Sequence, residues 1–145
     1  MTTKAGVDVR NDFAELERLY EFLTAFWVAN RLEQDAVLDL NLALEEAFTN
    51  VLMHGFRDPG EHEIHVELAF ENNVVCLTVE DGGIPFNPLE APDVDVTAPL
   101  GERRIGGLGI YLVRKLMDRV EYAREGNRNR LRMEKRVTCA NEGND

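Results

Sequence analysis

The sequence predicts a mixed α/β chain of the α+β kind. Three observations predict it. A helical stripe of Leu40, Ala43, Leu44, Ala47, Phe48 and Val51 recurs at i, i+3, i+4 spacing within 37–56. Two alternating runs, 63–70 and 74–80, flank the hairpin triplet Glu71-Asn72-Asn73. A second pair of strand-like runs, 120–124 and 129–137, flanks Glu125-Gly126-Asn127 and follows a short helical pattern.

Taken in order, residues 5–10 alternate weakly and read as a first strand. Asp12 is placed to cap a helix over 13–30, with Leu16, Leu19, Tyr20, Leu23 and Phe26 or Trp27 on one face. Residues 31–35 link it to the central helix, which Gly55 is expected to stop. Arg57-Asp58-Pro59-Gly60 is a turn. The run 89–105 holds Pro92, Pro99 and Gly101 without periodicity. A loop of that length in a compact domain reads as a functional lid or as disorder. A helix over 110–118 and the closing strands follow, and the tail from Cys139 reads as frayed.

A length of 145 residues predicts one domain over 1–145, with a core at about 5–137 and a tail at 138–145. The chain is 44% hydrophobic and 30% charged, which fits a soluble globular protein. No apolar run approaches the ~20 residues of a membrane span, and the first residues lack a signal peptide's apolar core. Cys76 and Cys139 lie apart without CxxC spacing, so neither a zinc site nor a disulfide framework is expected, and a cytoplasmic location is. The net charge of −11 argues against direct nucleic-acid binding. The charge is uneven: 103–136 holds 11 of the 16 basic residues against 4 acids. A polyphosphate site, an acidic partner or a solvated basic face would each account for it.

Three short motifs can carry chemistry. On the central helix, Glu46, Asn50 and His54 stand four residues apart, one above another at the flank of the apolar stripe. They are either ordinary boundary residues or the wall of a groove. Asp81-Gly82-Gly83-Ile84-Pro85-Phe86-Asn87-Pro88 closes a strand. Its glycines let backbone approach a ligand, and Asp81 can accept a hydrogen bond from an exocyclic amine, although a plain turn has the same composition. Gly106-Gly107-Leu108-Gly109 opens a helix and presents free backbone N–H groups and a positive dipole end, as phosphate sites do. It is not a Walker A loop and does not follow a first strand as a dinucleotide fingerprint would.

Together and in this order, E-A-F-T-N-x-x-x-H-G, D-G-G-I-P-F-N-P and G-G-L-G-I-Y-L-V-R-K-L-M-D resemble the GHKL (Bergerat-fold) ATPase superfamily over about 5–137. Within it the chain is similar to the small bacterial anti-sigma-factor serine/threonine kinases. The resemblance implies a two-layer sandwich, a mixed and mostly antiparallel sheet with helices on one face, and an ATP lid. It implies that Asn50 ligates Mg²⁺ and that Glu46 is the general base toward a partner's hydroxyl. It implies that Asp81 receives the adenine amine, with Gly83 admitting the ring, and that Gly107, Leu108 and Gly109 bring backbone N–H groups to the phosphates. Arg103 or Arg104 could neutralise the γ-phosphate, or both could equally be solvated lid charges; of the two, Arg104 is the candidate.

Members of the family often place a threonine near the adenine in the last strand. Here Asn129 and Arg130 stand there, which puts adenine contact from that strand in doubt. Glu45 points about 100° from Glu46 and is expected to be structural, and His54 is expected at a helix end rather than on a metal. The function implied is an ATP-dependent kinase that sequesters a sigma factor and phosphorylates an anti-anti-sigma protein, with a homodimer as the family habit. The alternative is a nucleotide-gated interaction module that transfers nothing. A histidine-kinase ATP domain is disfavoured, because His54, His62 and His65 all fall inside or just after the proposed site. A large ATP-driven clamp needs transducer domains that this length does not hold.

Overall fold

Alternation along the strands and stripes along the helices decide which side of each element is buried. A computed structural model describes residues 2–56, 58, 60–90 and 107–139. The elements are β1 (Thr3–Arg10), α1 (Leu16–Ala29), α2 (Val37–His54), β2 (Glu63–Glu71), β3 (Val74–Asp81), α3 (Gly107–Leu116), β4 (Arg119–Glu125) and β5 (Arg128–Arg136). The expected lid lies largely outside the described residues, as do 140–145.

The local signals act where the sequence places them. Asp12 accepts a hydrogen bond from the Ala14 amide and caps the short 3-10 turn Phe13–Glu15 that leads into α1. Asn72 and Asn73 both adopt positive φ, 53° and 62°, and so form the two-residue hairpin turn between β2 and β3. Gly55 stops α2 as expected and does so at φ −80°. Cys139 pairs with Leu32 in an isolated bridge, so the chain is still held at a position expected to fray. Helix α3 begins on the glycines rather than after them. It ends at Leu116 because Asp118 already belongs to the sheet edge: its amide donates to Glu134 O, and its carboxylate accepts from the Arg136 amide.

The sheet has five strands in the order β1-β2-β3-β5-β4, and all four pairings are antiparallel. The parallel pairing implied by a mixed sheet is absent among the described residues. Register aligns Ile64 with Asp81, Val66 with Val79 and Leu68 with Leu77; on the far side Val79 meets Leu131 and Leu77 meets Met133. These columns all point to one face. There they form one core with Leu19, Leu23 and Trp27 of α1, Leu40, Leu44 and Phe48 of α2, and Val113 of α3. Fully burying such a side chain contributes roughly 1.5–3 kcal/mol, so the helices have one favourable side on which to lie.

The other face is wet. Arg130 and Arg128 pair there with Glu80, and Arg132 pairs with Glu134. The described part of the basic excess is thus, on β5, a solvated and paired row of arginines. No described helix is long and apolar enough to cross a membrane. One consequence of the register positions the site: Asp81 and Asn129 are partners and continue the inward columns, so two polar side chains stand where the next core residues would be.

Candidate functional site

The site begins with those two residues. Asp81 is 3% exposed and Asn129 5%. Buried polar groups must find partners or pay a large desolvation cost. Asp81 Oδ1 accepts from the Gly83 amide at 2.8 Å and from Asn129 Nδ2 at 3.0 Å. Asn129 Nδ2 also donates to Ile84 O at 2.7 Å. Its Oδ1 accepts from the Phe86 amide at 3.3 Å and from the Tyr122 hydroxyl. One amide therefore ties the end of β3, the following loop and β4 together.

Helix α2 supplies the opposite wall. Ala47, Asn50 and Val51 face Asp81 and Asn129 across a cavity that Phe86 and Tyr122 also line. The enclosed space is small, about 20 Å³. Its lining is largely apolar with a few convergent polar groups, the usual make-up of a small-molecule site. The loop after β3 is stitched to the end of α2: Ile84 N donates to Gly55 O at 2.8 Å. Arg124 Nη1 holds the loop from the other side through Gly83 O at 2.8 Å. His54 stacks on Phe86, centroids 5.0 Å apart at 28°. That is the helix-end placement expected of it.

Gly83 is a glycine for a reason the sequence did not show. A Cβ there would overlap the carbonyl of Gly55. The obstacle is backbone and cannot swing aside. Gly83→Ala is expected to cost about 1–3 kcal/mol, measured as a lower denaturant midpoint. An unchanged midpoint would show that this junction yields freely.

Glu46 lies one turn before Asn50, where α2 meets the first turn of α3. A Cβ at Gly109 would occupy the position of the Glu46 carboxylate. Glu46 Oε1 and Asn50 Nδ2 are buried and have no hydrogen-bond partner among the described residues. Burial, and secondly the charge of Glu45, push the Glu46 carboxyl up from its ordinary value. Glu45 itself faces α1. Burial first, then the charge of Glu45 and a hydrogen bond to it, raise the Tyr20 hydroxyl.

The structure thus brings Asn50, Asp81 and Gly83 together around the cavity, with Glu46 one turn before Asn50 and against Gly109 of α3. Gly107 and Leu108 belong to the first turn of that helix. Arg103 and Arg104 lie outside the described residues. Sequence reasoning did not assign Phe86, Tyr122 or Asn129 to the site. The inward phase of Asn129 was legible from its alternation with Arg128 and Arg130. Phe86 lies within the motif at 81–88 but was given no role, and Tyr122 carries no local signal, because only the fold brings it there.

Comparison with known proteins settles the family. The profile of the histidine kinase-like ATPase domain matches residues 9–135. The chain belongs to that family. Its sandwich is that of a GHKL-type domain. Among curated members, the serine-protein kinase RsbW of Listeria monocytogenes is 36% identical over 97 residues, covering 63% of this chain and 62% of the relative. The RsbW of Bacillus cereus is 33% identical over 105 residues, covering 68% and 65%. The matches span less than two thirds of those relatives' lengths. In structure, this family member is similar to the RsbU and RsbW domains of a Mycobacterium tuberculosis protein. The TM-score is 0.66 at 13% identity, over 93% of this chain and 32% of that one. The Acinetobacter baumannii histidine kinase AdeS gives 0.52 at 10% identity, over 91% and 68%. At such identities the likeness concerns the fold.

Proposed function

We propose that this chain binds ATP with Mg²⁺ in the cavity between α2, β3 and β5, and transfers the γ-phosphoryl group to a serine or threonine of a protein partner. By analogy with the RsbW relatives, that partner is an anti-anti-sigma protein, and the second partner is a sigma factor held in check. A cytoplasmic location and a homodimer complete the reading. The observation that carries it is the placement of Glu46: a carboxyl with a raised pKa, one turn from buried Asn50 and against the first turn of α3.

The cavity's chemistry supports the nucleotide. Asp81 is an acceptor at the base of a largely apolar slot, which suits an adenine edge. Asn50 Nδ2 is buried without a partner among the described residues, and the amide's oxygen and nitrogen exchange places by a simple flip. Presented through oxygen, it would be one hard ligand for Mg²⁺, which takes its remaining ligands from phosphates and water. The metal would supply charge neutralisation on the phosphates. The start of α3 would add backbone N–H groups and the positive end of the helix dipole. In the transfer, the hydroxyl oxygen bonds to the γ-phosphorus as the bond to the β–γ bridging oxygen breaks. ADP leaves with that electron pair, and the hydroxyl proton passes to the Glu46 carboxylate.

A specific feature favours a second reading, the non-catalytic module. Glu46 Oε1 is buried at the first turn of α3. An incoming hydroxyl reaches this carboxylate only through its other oxygen or after that turn shifts. Two experiments test the proposal in sequence. Calorimetry with ATP and Mg²⁺ should show affinity falling about tenfold to a hundredfold in both Asp81→Asn and Asn50→Ala, the scale of one lost hydrogen bond to a charged group. Wild-type affinity in both variants would remove the nucleotide from this cavity. Pull-down from the native cell with and without ATP, read by mass spectrometry, then identifies the partner on which transfer is assayed.

A further inference from the structure

Asn129 makes more polar contacts than any ordinary strand residue requires, and none of them is to the outside. We infer that Asn129, clamped by Tyr122, is the positioning residue that makes the site select a 6-amino purine, and that it does so without touching the base. The inference rests on the nucleotide reading above and deepens it.

The argument starts from valence. A side-chain amide has two N–H donors and an oxygen with two lone pairs. Asn129 spends both donors, on Asp81 Oδ1 and Ile84 O, and both lone pairs, on the Phe86 amide and the Tyr122 hydroxyl. Its orientation is therefore not ambiguous. A flip would set its oxygen against a carboxylate and a carbonyl, and its nitrogen against an amide N–H. With every position filled, Asn129 has nothing left for a ligand.

Asp81 is left in the complementary state. Its Oδ1 is taken twice, by Gly83 N and by Asn129 Nδ2. Its side chain is thereby fixed in rotation, and Oδ2 is the oxygen available to the cavity. A carboxylate oxygen held in one place only accepts. It favours a purine carrying an amine at position 6 and repels one carrying a carbonyl there. Should Asp81 rotate, a water can mediate either base and the distinction fades. Selectivity therefore depends on the clamp, and the clamp depends on Tyr122 holding Asn129 from β4.

Both ends can be tested on the full chain, by calorimetry with ATP and with inosine triphosphate, whose base carries a carbonyl at position 6 and a proton on N1, each with Mg²⁺. Tyr122→Phe removes one hydroxyl and keeps the ring. Asn129→Thr leaves one hydroxyl donor where the amide has two, so Asp81 and Ile84 can no longer both be held. Thermal unfolding of each variant shows that it is folded. The expected result is a ratio of ATP to inosine triphosphate affinity that falls about tenfold or more in Asn129→Thr and by a smaller factor in Tyr122→Phe. The double variant should lose no more than Asn129→Thr alone, because the two residues act through one bond. A merely structural Asn129 would weaken both nucleotides equally and leave the ratio at the wild-type value, which overturns the inference. A wild-type protein that binds ATP and inosine triphosphate equally overturns it as well. A wild-type protein that binds neither removes the nucleotide reading itself, and the inference with it.

Discussion

Glu46→Gln is expected to lower phosphoryl transfer to the partner protein by about 10²–10⁴-fold, the usual cost of losing a positioned base. ATP affinity and partner binding should stay near wild type. The substitution keeps the length and shape of the side chain, so the contact with Gly109 survives, and it removes only the capacity to take a proton. Because burial and Glu45 raise the Glu46 carboxyl, wild-type transfer should fall as pH drops through that raised value. The residual rate of the variant should be flat over the same range.

The same substitution should stabilise the fold, and the sign follows from linkage. A carboxyl whose folded pKa lies above its unfolded value binds its proton more tightly when folded. Wild-type stability therefore has this contribution in full below the unfolded pKa and loses it as pH rises through the folded one. At neutral pH Glu46 is a charge held partly out of water, and glutamine is not. The gain in melting temperature for Glu46→Gln should be present near pH 7 and shrink on acidification toward the ordinary carboxylate range. A stable, inactive variant is the signature of a residue kept for function at a cost in stability. Transfer at the wild-type rate by Glu46→Gln would make the catalytic assignment wrong. No transfer by either protein to any bound partner would favour the module.

The parts of this fold that were legible in the sequence are those with a local cause. The stripe from Leu40 to Val51, the hairpin at Asn72-Asn73 and the cap at Asp12 each follow from a few neighbouring residues, and each stands where those residues imply. The ends of α3 were misjudged for opposite reasons. The glycines at its start read as a turn by propensity, but the helix begins at Gly107, and at Gly109 the Glu46 carboxylate of α2 leaves no room for a side chain. Its last residues read as helix by pattern, but Asp118 is drawn into the sheet by Glu134 and Arg136. In the site, Glu46, Asn50 and Asp81 were found because their motifs are contiguous. Phe86 lies in the same motif as Asp81 but was given no role, and Tyr122 was not found, because nothing near either in sequence records that the Asn129 amide would bind both. Gly83 was read as an approach for a ring, and its tightest neighbour turned out to be the backbone of Gly55.

Gly109→Ala is the second large effect expected, and it differs in kind from Gly83→Ala. At both positions a new methyl group meets an atom that is already there. At Gly83 that atom is backbone; at Gly109 it is the carboxylate at the far end of a flexible side chain. Glu46 can swing away by changing rotamer, at a cost of order 1 kcal/mol. Alanine is at the same time the better helix former by about 0.8–1.0 kcal/mol. The fold should therefore tolerate the change, with a melting temperature near wild type. Function should not, because the base is displaced from where the phosphoryl group is to be transferred. Transfer is expected to fall by about 10²-fold, on the scale of losing the base outright. If Gly109 acts only by leaving room for Glu46, the double variant Gly109→Ala, Glu46→Gln should transfer no more slowly than Glu46→Gln alone, and ATP affinity should be little changed. If instead the new methyl group blocks the approach of phosphates to the start of α3, ATP affinity should fall in Gly109→Ala whether position 46 is Glu or Gln. The calorimetric titration of the single and double variants decides between the two. A Gly109→Ala protein with wild-type transfer would show that Glu46 works from a second position, and would break the link between this contact and catalysis.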